Sequence, residues 1–279
     1  MDSKRYLIAV DLDYTALNNV YELNDITVKV LKKLTKMGHH VMIATARPTC
    51  ITLPHYKRLE LDTLTALCNG ADLVADLAGE HKTLLRNYMS ASDLRKIFDI
   101  IPLDDIDDLG IQINDELYMY GSMKGSLYHE ELIRRSNVEY IDLRSIPFVD
   151  AGRIFLRIKD TPEVMESIDK LKSIENISIN YRKIHLDQPG IYLSIQSIHA
   201  DKWYAVKEAA AHYGMPEKNI IAFGDDYNDT MMLKNAGLGF VMCNGNEELK
   251  REIGRTTQYS NVEGGVGKEL ARLFEIKIK

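Results

Sequence analysis

Three short apolar runs along the chain are each followed at once by polar residues. The runs cover residues 6–10, 41–44 and 220–223. None of them alternates apolar with polar positions, which is typical of strands that are covered on both faces of a parallel sheet. In open parallel sheets the ligand site lies beyond the carboxyl ends of the strands. The pattern therefore predicts a buried parallel sheet with a polar site at one edge.

Helical periodicity and turn signals fill the sequence between these runs. Asn24 is predicted to cap a helix that ends at Gly38. Residues 48–59 predict a weaker helix, and residues 64–68 predict a short strand that ends in a turn at Asn69-Gly70. From residue 200 onward, strand and helix patterns alternate again. The predicted fold class is α/β, with a Rossmann-like parallel sheet core that carries helices on both faces.

The pattern of apolar and polar residues changes near residue 85. Residues 85–188 are predicted to form an α/β cap domain inserted into the core, which then consists of residues 1–84 and 189–279. Arg157, Arg182 and His185 are candidates for contact with a ligand, but they fit surface positions equally well. The elements predicted between residues 85 and 195 are a helix capped by Ser92, a hairpin of strands 109–113 and 117–120, a helix at 127–135, a strand at 153–158, a helix begun by Thr161-Pro162, and antiparallel strands near 177–181 and 192–195.

Six polar residues stand where the predicted strands end or where a following helix begins. Asp11 and Asp13 are two positions apart, so their side chains point to the same side of an extended backbone. A nucleophilic carboxylate must be ionised, and a nearby divalent cation and a lysine favour that state, which suits Asp11. Like-charge repulsion favours protonation of one member of the pair, so Asp13 is the candidate acid and base. The six residues are Asp11, Asp13, Thr45, Lys202, Asp225 and Asp229.

Other members of this set suit a metal ion and a phosphoryl group. Hard oxygen ligands favour Mg²⁺, and Asp11 and Asp225 with a backbone carbonyl and waters would satisfy its octahedral shell. The hydroxyl and backbone N–H of Thr45 can hold a phosphoryl oxygen, while Lys202 offsets negative charge on the nucleophile and on the transferring group. The residues therefore predict Mg²⁺-dependent phosphoryl transfer.

Composition and charge narrow the class of partner. The chain has 279 residues, of which 45% are hydrophobic, enough for one large or two ordinary domains. A net charge of −6 gives no reason to expect nucleic acid or an anionic membrane surface as a partner. No apolar run approaches the roughly 18 residues that span a bilayer, and the three cysteines form no C-x-x-C pair. We expect a cytoplasmic protein that binds a small phosphorylated substrate.

The ordered motifs resemble those of the haloacid dehalogenase superfamily of phosphohydrolases. These motifs are Asp-Leu-Asp-Tyr-Thr at 11–15, Thr-Ala-Arg at 45–47, Lys202, and Gly-Asp-Asp-Tyr-Asn-Asp at 224–229. Asn69-Gly70-Ala71 and the stretches at 236–242 and 261–266 are similar to the Cof-type branch of that superfamily. The large α/β cap of this branch is inserted between the second and third motifs. The insertion that the change of pattern near residue 85 predicts falls at the same place.

The resemblance implies a role for each residue of the candidate site. Asp11 would be the phosphorylated nucleophile of a phosphoric monoester hydrolase, and Asp13 its acid and base. Arg47 is expected to have a structural role, in a salt link or at a helix start. The predicted phosphate-binding residues are Thr45, Ala46, Lys202 and Asn228, the predicted metal positions are Asp11, Asp13 and Asp225, and Asp226 and Asp229 are predicted to support these residues.

The chain departs from the family pattern at three glycine positions. Tyr14 stands after the second aspartate, Ala46 within the second motif and Trp203 after the lysine. None of these changes removes a reacting group. Tyr14 and Trp203 are expected to add bulk near the mouth of the site and to narrow the range of substrates.

Alternative functions use the same residue types. A phosphomutase or phosphotransferase of the same superfamily would share every core residue and would be distinguished by its need for a bisphosphorylated activator. A receiver-like regulatory protein also combines acidic residues, a threonine, a lysine and Mg²⁺, but it lacks an acid and base two residues after the acceptor. A catalytically silent binding protein is disfavoured because Asp11 and Asp13 are both present.

Overall fold

The chain forms two compact units, each with its own hydrophobic core. In the described residues, the first unit contains a four-stranded and a three-stranded sheet, and the second contains a six-stranded sheet. The computed structural model describes residues 4–122, 127–184 and 189–278. The first unit consists of Met1–Pro48, Thr52–Arg86 and Asp201–Lys279, and the second of Thr49–Ile51 and Asn87–Ala200.

Strands and helices alternate through much of the first unit, whereas strands dominate the second. The strands are β1 (Leu7–Val10), β2 (His40–Ile43), β3 (Thr65–Leu67), β4 (Asp72–Ala75), β5 (Lys82–Arg86), β6 (Ile106–Ile113), β7 (Glu116–Tyr120), β8 (Asn137–Tyr140), β9 (Arg153–Ile158), β10 (Ile177–Ile184), β11 (Gly190–Ser197), β12 (Ile220–Gly224) and β13 (Leu238–Val241). The helices are α1 (Asp25–Lys36), α2 (Thr49–Leu59), α3 (Ala91–Ile100), α4 (Leu127–Arg135), α5 (Pro162–Leu171), α6 (Lys202–His212), α7 (Thr230–Asn235), α8 (Glu247–Ile253) and α9 (Gly265–Leu273). In the ranges that the structure describes, no helix combines the length and the apolar character needed to cross a membrane.

The main sheet of the first unit has the strand order β13-β12-β1-β2, and every neighbouring pair is parallel. All four residues of β1 are buried. Leu7 and Ala9 pack with apolar residues of α6, and the alternation of side chains along a strand directs Ile8 and Val10 to the opposite face. The prediction of a parallel sheet made from uninterrupted apolar strands is confirmed.

Helix α1 begins and ends at the residues that the sequence indicates. The side-chain oxygen of Asn24 accepts a hydrogen bond from the backbone N–H of Ile26 at 2.9 Å. Gly38 follows the end of the helix with a φ of +90°. Helix α9 packs against α1, where the backbone N–H of Gly267 donates to Oγ1 of Thr27 at 3.3 Å. The predicted capping of α1 by Asn24 is confirmed, and so is the predicted α/β fold class.

The turn after β3 packs against the start of α6. Gly70 has a φ of +84°, in the left-handed region that glycine adopts without strain. A Cβ atom at this position would collide with the backbone carbonyl of Asp201, the residue that precedes Lys202. The turn predicted at Asn69-Gly70 is confirmed, and it is a point where two backbone segments touch.

The second unit is built on a sheet with the order β10-β11-β9-β6-β7-β8, in which every described pair except β7 with β8 is antiparallel. Helices α3 and α5 contribute apolar side chains to the core on one face of this sheet. The predicted hairpin corresponds to β6 and β7. Thr161 caps α5 by accepting the backbone N–H of Val164, as predicted.

The second unit also differs from the sequence prediction in two places. The cap of α3 is Ser90 rather than Ser92, because the Ser90 hydroxyl accepts the backbone N–H of Asp93 at 3.1 Å. Strand β11 lies in the second unit, since it pairs with both β10 and β9, whereas the core was predicted to resume at residue 189. His185 and the predicted boundary at residue 188 lie outside the described residues. The role of this unit as a cap stays a prediction.

We expect Gly70→Ala to destabilise the first unit more than the same substitution at a glycine that also has a positive φ but has no atoms close to the added Cβ. Gly214 has a φ of +65° and open space around its Cα, so Gly214→Ala should cost about 1–2 kcal/mol from the left-handed backbone alone. Gly70→Ala should exceed that by at least about 1 kcal/mol, because overpacking adds to the same backbone cost. Urea unfolding of both variants measures the difference, and equal losses would contradict the close approach to Asp201.

Candidate active site

A buried lysine joins two carboxylates at the carboxyl edge of the main sheet. Asp11 follows β1 directly, and Lys202 is the first residue of α6, which Asp201 caps by accepting the backbone N–H of Trp203 at 2.8 Å. Lys202 Nζ donates to Oδ1 of Asp11 and to Oδ1 of Asp229, each at 2.6 Å. Lys202 and Asp229 are 0% exposed, and Asp11 is 4% exposed. The fold thus joins Asp11 and Lys202 across a separation of 191 positions in the sequence.

The protonation states of these groups depend on one another. The pKa of the Asp11 carboxyl is raised to about 7. Burial is the largest cause, Lys202 acts against it, and Asp229 and Asp13 raise the pKa further. Burial alone would lower the pKa of the Lys202 ammonium, but Asp11 and Asp229 outweigh it and hold that pKa above its usual value. The lysine therefore stays charged and compensates part of the negative charge around it.

A third carboxylate completes an acidic cluster beside the lysine. Asp225 follows β12, and carboxylate oxygens of Asp11, Asp225 and Asp229 all lie within 4.8 Å of one another. Burial raises the pKa of the Asp225 carboxyl to about 9, with further contributions from Asp11 and Asp229. Three ionised carboxylates beside one ammonium would leave an excess of negative charge. Hard oxygen donors in this arrangement fit a divalent cation.

Asp229 holds the loop around Asp225 in place. Its Oδ1 accepts from Lys202, and its Oδ2 accepts the backbone N–H groups of Asp225 at 2.9 Å and of Asp226 at 3.3 Å. Asp226 is exposed and forms a reciprocal cap with Asp229 at the start of the turn. Because both oxygens of Asp229 are already engaged, Asp11 and Asp225 have more capacity for an ion. This arrangement agrees with a supporting position for Asp226 and Asp229, whose functional roles stay a prediction.

The side chain of Asp13 forms an ion pair with an arginine and is not a member of the cluster of three carboxylates. Its carboxylate accepts from Nε of Arg47 at 2.9 and 3.1 Å and from Nη2 at 2.6 Å. Arg47 is 0% exposed, and its guanidinium lies 4.7 Å from the centre of the Tyr21 ring. The salt link expected for Arg47 is confirmed.

Thr45 and Ala46 form the loop that follows β2. Thr45 is fully buried, its backbone N–H donates to the carbonyl of Ala66 at 2.9 Å, and its Oγ1 accepts the backbone N–H of Arg47 at 3.1 Å. Within the described ranges, neither the Thr45 hydroxyl nor the Ala46 backbone N–H donates a hydrogen bond. Both donors are available to an incoming anion.

Three further predicted positions have different environments. Asn228 is exposed, and its amide donates to Oδ1 of Asn69 at 3.0 Å. Tyr14 is 49% exposed and has a φ of +55°. Trp203 is 5% exposed and packs in the apolar core with residues of the main sheet. The expectation that Trp203 adds bulk at the mouth of the site is therefore wrong, because the start of α6 turns this side chain inward.

Two residues near the site were not singled out from the sequence. Thr15 is buried, and its hydroxyl donates to Oδ1 of Asp225 at 3.2 Å. Asn244 donates to the backbone carbonyl of Tyr14 at 2.8 Å and accepts the backbone N–H of Asn261 at 2.9 Å. Thr15 could have been found, since it ends the first motif. Asn244 stands in a loop of ordinary composition, and no sequence signal marks its contact.

A comparison with protein families identifies the class of this site. The family model described as haloacid dehalogenase-like hydrolase matches residues 8–270. The chain belongs to this family. The predicted family and the predicted enzyme class, a phosphoric monoester hydrolase, are confirmed. The receiver-like alternative is not supported, because the family match covers both units.

Curated relatives of this haloacid dehalogenase-like hydrolase are named as phosphatases. The chain is 29% identical over 287 residues to the 5-amino-6-(5-phospho-D-ribitylamino)uracil phosphatase YitU of Bacillus subtilis strain 168, and the alignment covers 99% of this chain and 100% of that protein. It is 23% identical to YcsE of the same organism, which has the same activity in its name, over 95% of this chain and 94% of that protein. The similarity to both relatives extends over nearly the whole chain.

Solved structures share the fold. A haloacid dehalogenase-like hydrolase from Bacteroides thetaiotaomicron superposes with a TM-score of 0.80 and 20% identity, over 97% of this chain and 100% of that one. A haloacid dehalogenase subclass IIB sugar phosphatase superposes with a TM-score of 0.78 and 18% identity, over 98% of this chain and 100% of that one.

We expect Lys202→Met to destabilise the protein by about 3–5 kcal/mol, because it leaves the buried carboxylates of Asp11 and Asp229 without their cation. Lys207→Met is the matched control on the same helix. Lys207 and its partner Glu217 are both about half exposed, so this change should stay within about 0.5 kcal/mol. Chemical denaturation at pH 7 measures both variants, and a similar small loss in each would contradict the structural role of Lys202.

We expect Tyr14→Gly to broaden the range of esters that the enzyme hydrolyses, because it removes an exposed ring next to Asp13 and relieves a left-handed backbone. The gain should be about tenfold in kcat/KM for the bulkiest esters of a panel. Tyr204→Ala, which removes a tyrosine of similar exposure from α6, is the control. An unchanged substrate profile for Tyr14→Gly would refute the effect.

Proposed function

We propose that this chain is a Mg²⁺-dependent phosphatase that hydrolyses a small phosphorylated metabolite through an aspartyl-phosphate intermediate on Asp11. The substrate class is a sugar phosphate or a related cofactor phosphate. The observation that carries the proposal is the buried Lys202 shared by Asp11 and Asp229, with Asp225 beside them. This arrangement places a carboxylate nucleophile next to a fixed positive charge and to a set of oxygen donors for a cation.

The residues present fit Mg²⁺. The carboxylates of Asp11 and Asp225 and the backbone carbonyl of Asp13 would hold the ion, and bound Mg²⁺ would neutralise negative charge on the phosphoryl group and keep Asp11 ionised. The raised pKa values of Asp11 and Asp225 support this assignment, since the crowded carboxylates require a further positive charge to be ionised together.

In the first step Asp11 displaces the alcohol from phosphorus. Lys202 occupies Oδ1 of Asp11, so Oδ2 is the atom that forms the new P–O bond. The Thr45 hydroxyl and the Ala46 N–H hold phosphoryl oxygens during this transfer. The P–O bond to the leaving alcohol breaks, and the alkoxide oxygen takes the proton of the Asp13 carboxyl. The products of this step are the free alcohol and phosphorylated Asp11.

In the second step water removes the phosphoryl group. The Asp13 carboxylate takes a proton from the water as its oxygen attacks phosphorus, and the bond between phosphorus and Asp11 breaks. Orthophosphate leaves, Asp11 returns to its carboxylate, and Asp13 is protonated again for the next substrate. The ion pair of Asp13 with Arg47 corresponds to the carboxylate state of Asp13 that this second step requires.

The named relatives guide the choice of substrate. Two relatives that align over nearly the whole chain carry the name of a phosphatase for a phosphorylated ribitylaminouracil, and a structural neighbour is called a sugar phosphatase. These names support a phosphorylated polyol or sugar, with or without a ring at its other end, as the class to test first.

The direct test is phosphate release from a panel that includes 5-amino-6-(5-phospho-D-ribitylamino)uracil, sugar phosphates, nucleotides and pyridoxal phosphate. We expect turnover with Mg²⁺, none with EDTA and none in Asp11→Asn. Turnover that survives in Asp11→Asn would contradict the proposed nucleophile. Transfer of phosphate within the substrate that needs a bisphosphorylated activator would identify a phosphomutase instead.

We expect Asp13→Asn to separate the two steps. With an ester of an acidic alcohol, which leaves without the proton of Asp13, only the second step needs this residue. Asn cannot activate water, so turnover should fall by about 10²–10⁴ while phosphorylated Asp11 accumulates. Intact-protein mass spectrometry of acid-quenched samples detects the phosphoenzyme. Asp226→Asn, at an exposed neighbouring carboxylate, serves as the control and should show no accumulation. An Asp13→Asn protein that is slow but never phosphorylated would refute the role of Asp13 as the base.

We expect the affinity for Mg²⁺ to rise with pH between about 6 and 8. A raised pKa means that the carboxyl holds its proton at neutral pH, so the cation must displace protons from Asp11 and Asp225 when it binds. Affinity should change by about tenfold per pH unit for each proton displaced. Calorimetric titration in buffers of different ionisation enthalpy measures the proton release, and pH-independent binding would contradict the raised pKa values.

A further inference from the structure

Tyr14 lies between two residues that contact the rest of the candidate active site. On one side of it, the Asp13 carboxylate accepts from Nη2 of Arg47 at 2.6 Å. On the other side, the Thr15 hydroxyl donates to Oδ1 of Asp225 at 3.2 Å. The backbone conformation of Tyr14 therefore sets the direction in which both neighbouring side chains leave the turn.

The backbone of Tyr14 is in a conformation that is unfavourable for a residue with a side chain. Its φ is +55° and its ψ is 6°, in the left-handed region. A Cβ atom in this region lies too close to the following carbonyl oxygen, which lowers the population of the conformation by on the order of tenfold. The ring of Tyr14 is half exposed, so packing of the ring offers little compensation. A contact of the backbone has to stabilise the turn.

A hydrogen bond from Asn244 holds the carbonyl group of this left-handed residue. Nδ2 of Asn244 donates to the backbone carbonyl oxygen of Tyr14 at 2.8 Å. Rotation of the peptide between Tyr14 and Thr15 would turn this oxygen away from Asn244 and break the bond. One hydrogen bond shifts a conformational equilibrium by about two- to tenfold. This effect is similar in size to the cost of the left-handed backbone.

The loop that carries Asn244 is fixed at several points. Oδ1 of Asn244 accepts the backbone N–H of Asn261 at 2.9 Å, which sets the orientation of the side-chain amide. Asn261 is buried, and its Nδ2 donates to the backbone carbonyl of Leu17 at 2.8 Å. In the same loop, the backbone N–H of Asn246 donates to the carbonyl of Asp225 at 2.8 Å. Asn244 is thus a donor that the surrounding loops hold in place.

We propose that Asn244 is a positioning residue for phosphoryl transfer: its amide stabilises the left-handed conformation of Tyr14 and thereby keeps Asp13 where it exchanges protons. The proposal rests on the proposed function, since Asp13 is taken to be the acid and base of that reaction. Among the described residues, the side chain of Asn244 hydrogen-bonds to the backbone of Tyr14 and of Asn261. It therefore acts through the turn and not on the reacting atoms.

A double-mutant cycle tests whether Asn244 acts on the backbone of Tyr14. We expect Asn244→Ala to lower kcat about tenfold and to change KM less than about threefold, because Thr45 and Lys202 still hold the phosphoryl group. In the Tyr14→Gly background the same change should cost less than about twofold, since glycine adopts the left-handed conformation without strain. In the Tyr14→Phe background it should again cost about tenfold, since phenylalanine keeps the strained backbone.

Phosphorylated Asp11 gives a readout that a purely structural role would not change. With an ester of an acidic alcohol, only the second step needs Asp13, so a misplaced Asp13 slows the attack of water and the phosphoenzyme accumulates in Asn244→Ala. Asn235→Ala is the matched control. Asn235 is also exposed and donates to a backbone carbonyl, that of Met231, at 2.8 Å. This control should neither lower kcat nor accumulate the phosphoenzyme.

Amide hydrogen exchange tests the contact without turnover. The backbone N–H groups of Ala16 and Leu17 close the turn by donating to the carbonyls of Asp11 and Leu12, at 3.2 and 2.8 Å. We expect these two amides to exchange at least about threefold faster in Asn244→Ala, because loss of the hydrogen bond favours local opening of the turn. The control variant should leave their exchange unchanged.

Three results would overturn the proposal. They are an unchanged kcat in Asn244→Ala, a loss of kcat that is equally large in the Tyr14→Gly background, and unchanged exchange of the amides of Ala16 and Leu17. Failure of the wild-type protein to hydrolyse any ester would refute the proposed function instead. The exchange measurement would then still decide whether Asn244 holds the turn.

Discussion

The buried ion pairs of Lys202 are the constraint on which the first unit depends. Removing an ammonium and two carboxylates from water costs several kcal/mol per ion, and only close contact repays it. Lys202 Nζ must therefore lie within hydrogen-bonding distance of both Asp11 and Asp229, as it does. This requirement aligns the end of β1, the start of α6 and the turn after β12. The close approach of Gly70 to Asp201 fixes the start of α6 from the other side.

The ion pairs of Lys202 also leave the carboxylates of the site with different contacts and different pKa values. Asp229 uses both oxygens to hold Lys202 and the loop of Asp225, so it orders the site. Asp11 and Asp225 lie close to the other carboxylates and have raised pKa values, which a bound cation would lower. Asp13 instead forms an ion pair with Arg47. Acidic residues of one type thus have different environments, and the environments rather than the residue type favour their different proposed roles in phosphoryl transfer.

Local sequence signals predicted what depends on local physics. The uninterrupted apolar runs indicated the buried strands, and Asn24 and Thr161 cap the helices that their sequence context indicates. Features that depend on packing between distant parts of the chain were not predicted from the sequence. The sequence prediction placed the cap of α3 at Ser92, but the folded backbone makes Ser90 the residue that accepts the N–H of Asp93. The inward direction of Trp203 and the placement of β11 in the second unit follow from packing and from strand pairing, which the sequence around them does not determine.

The central claim is that Asp11 carries the phosphoryl group during turnover, and borohydride trapping tests it most directly. Borohydride reduces an acyl phosphate of aspartate to homoserine, so wild-type enzyme quenched during turnover should yield homoserine at position 11 in peptide mass spectra. Homoserine should be absent without substrate and in Asp11→Asn. Sustained hydrolysis with an unmodified Asp11, or homoserine at another aspartate, would contradict the account.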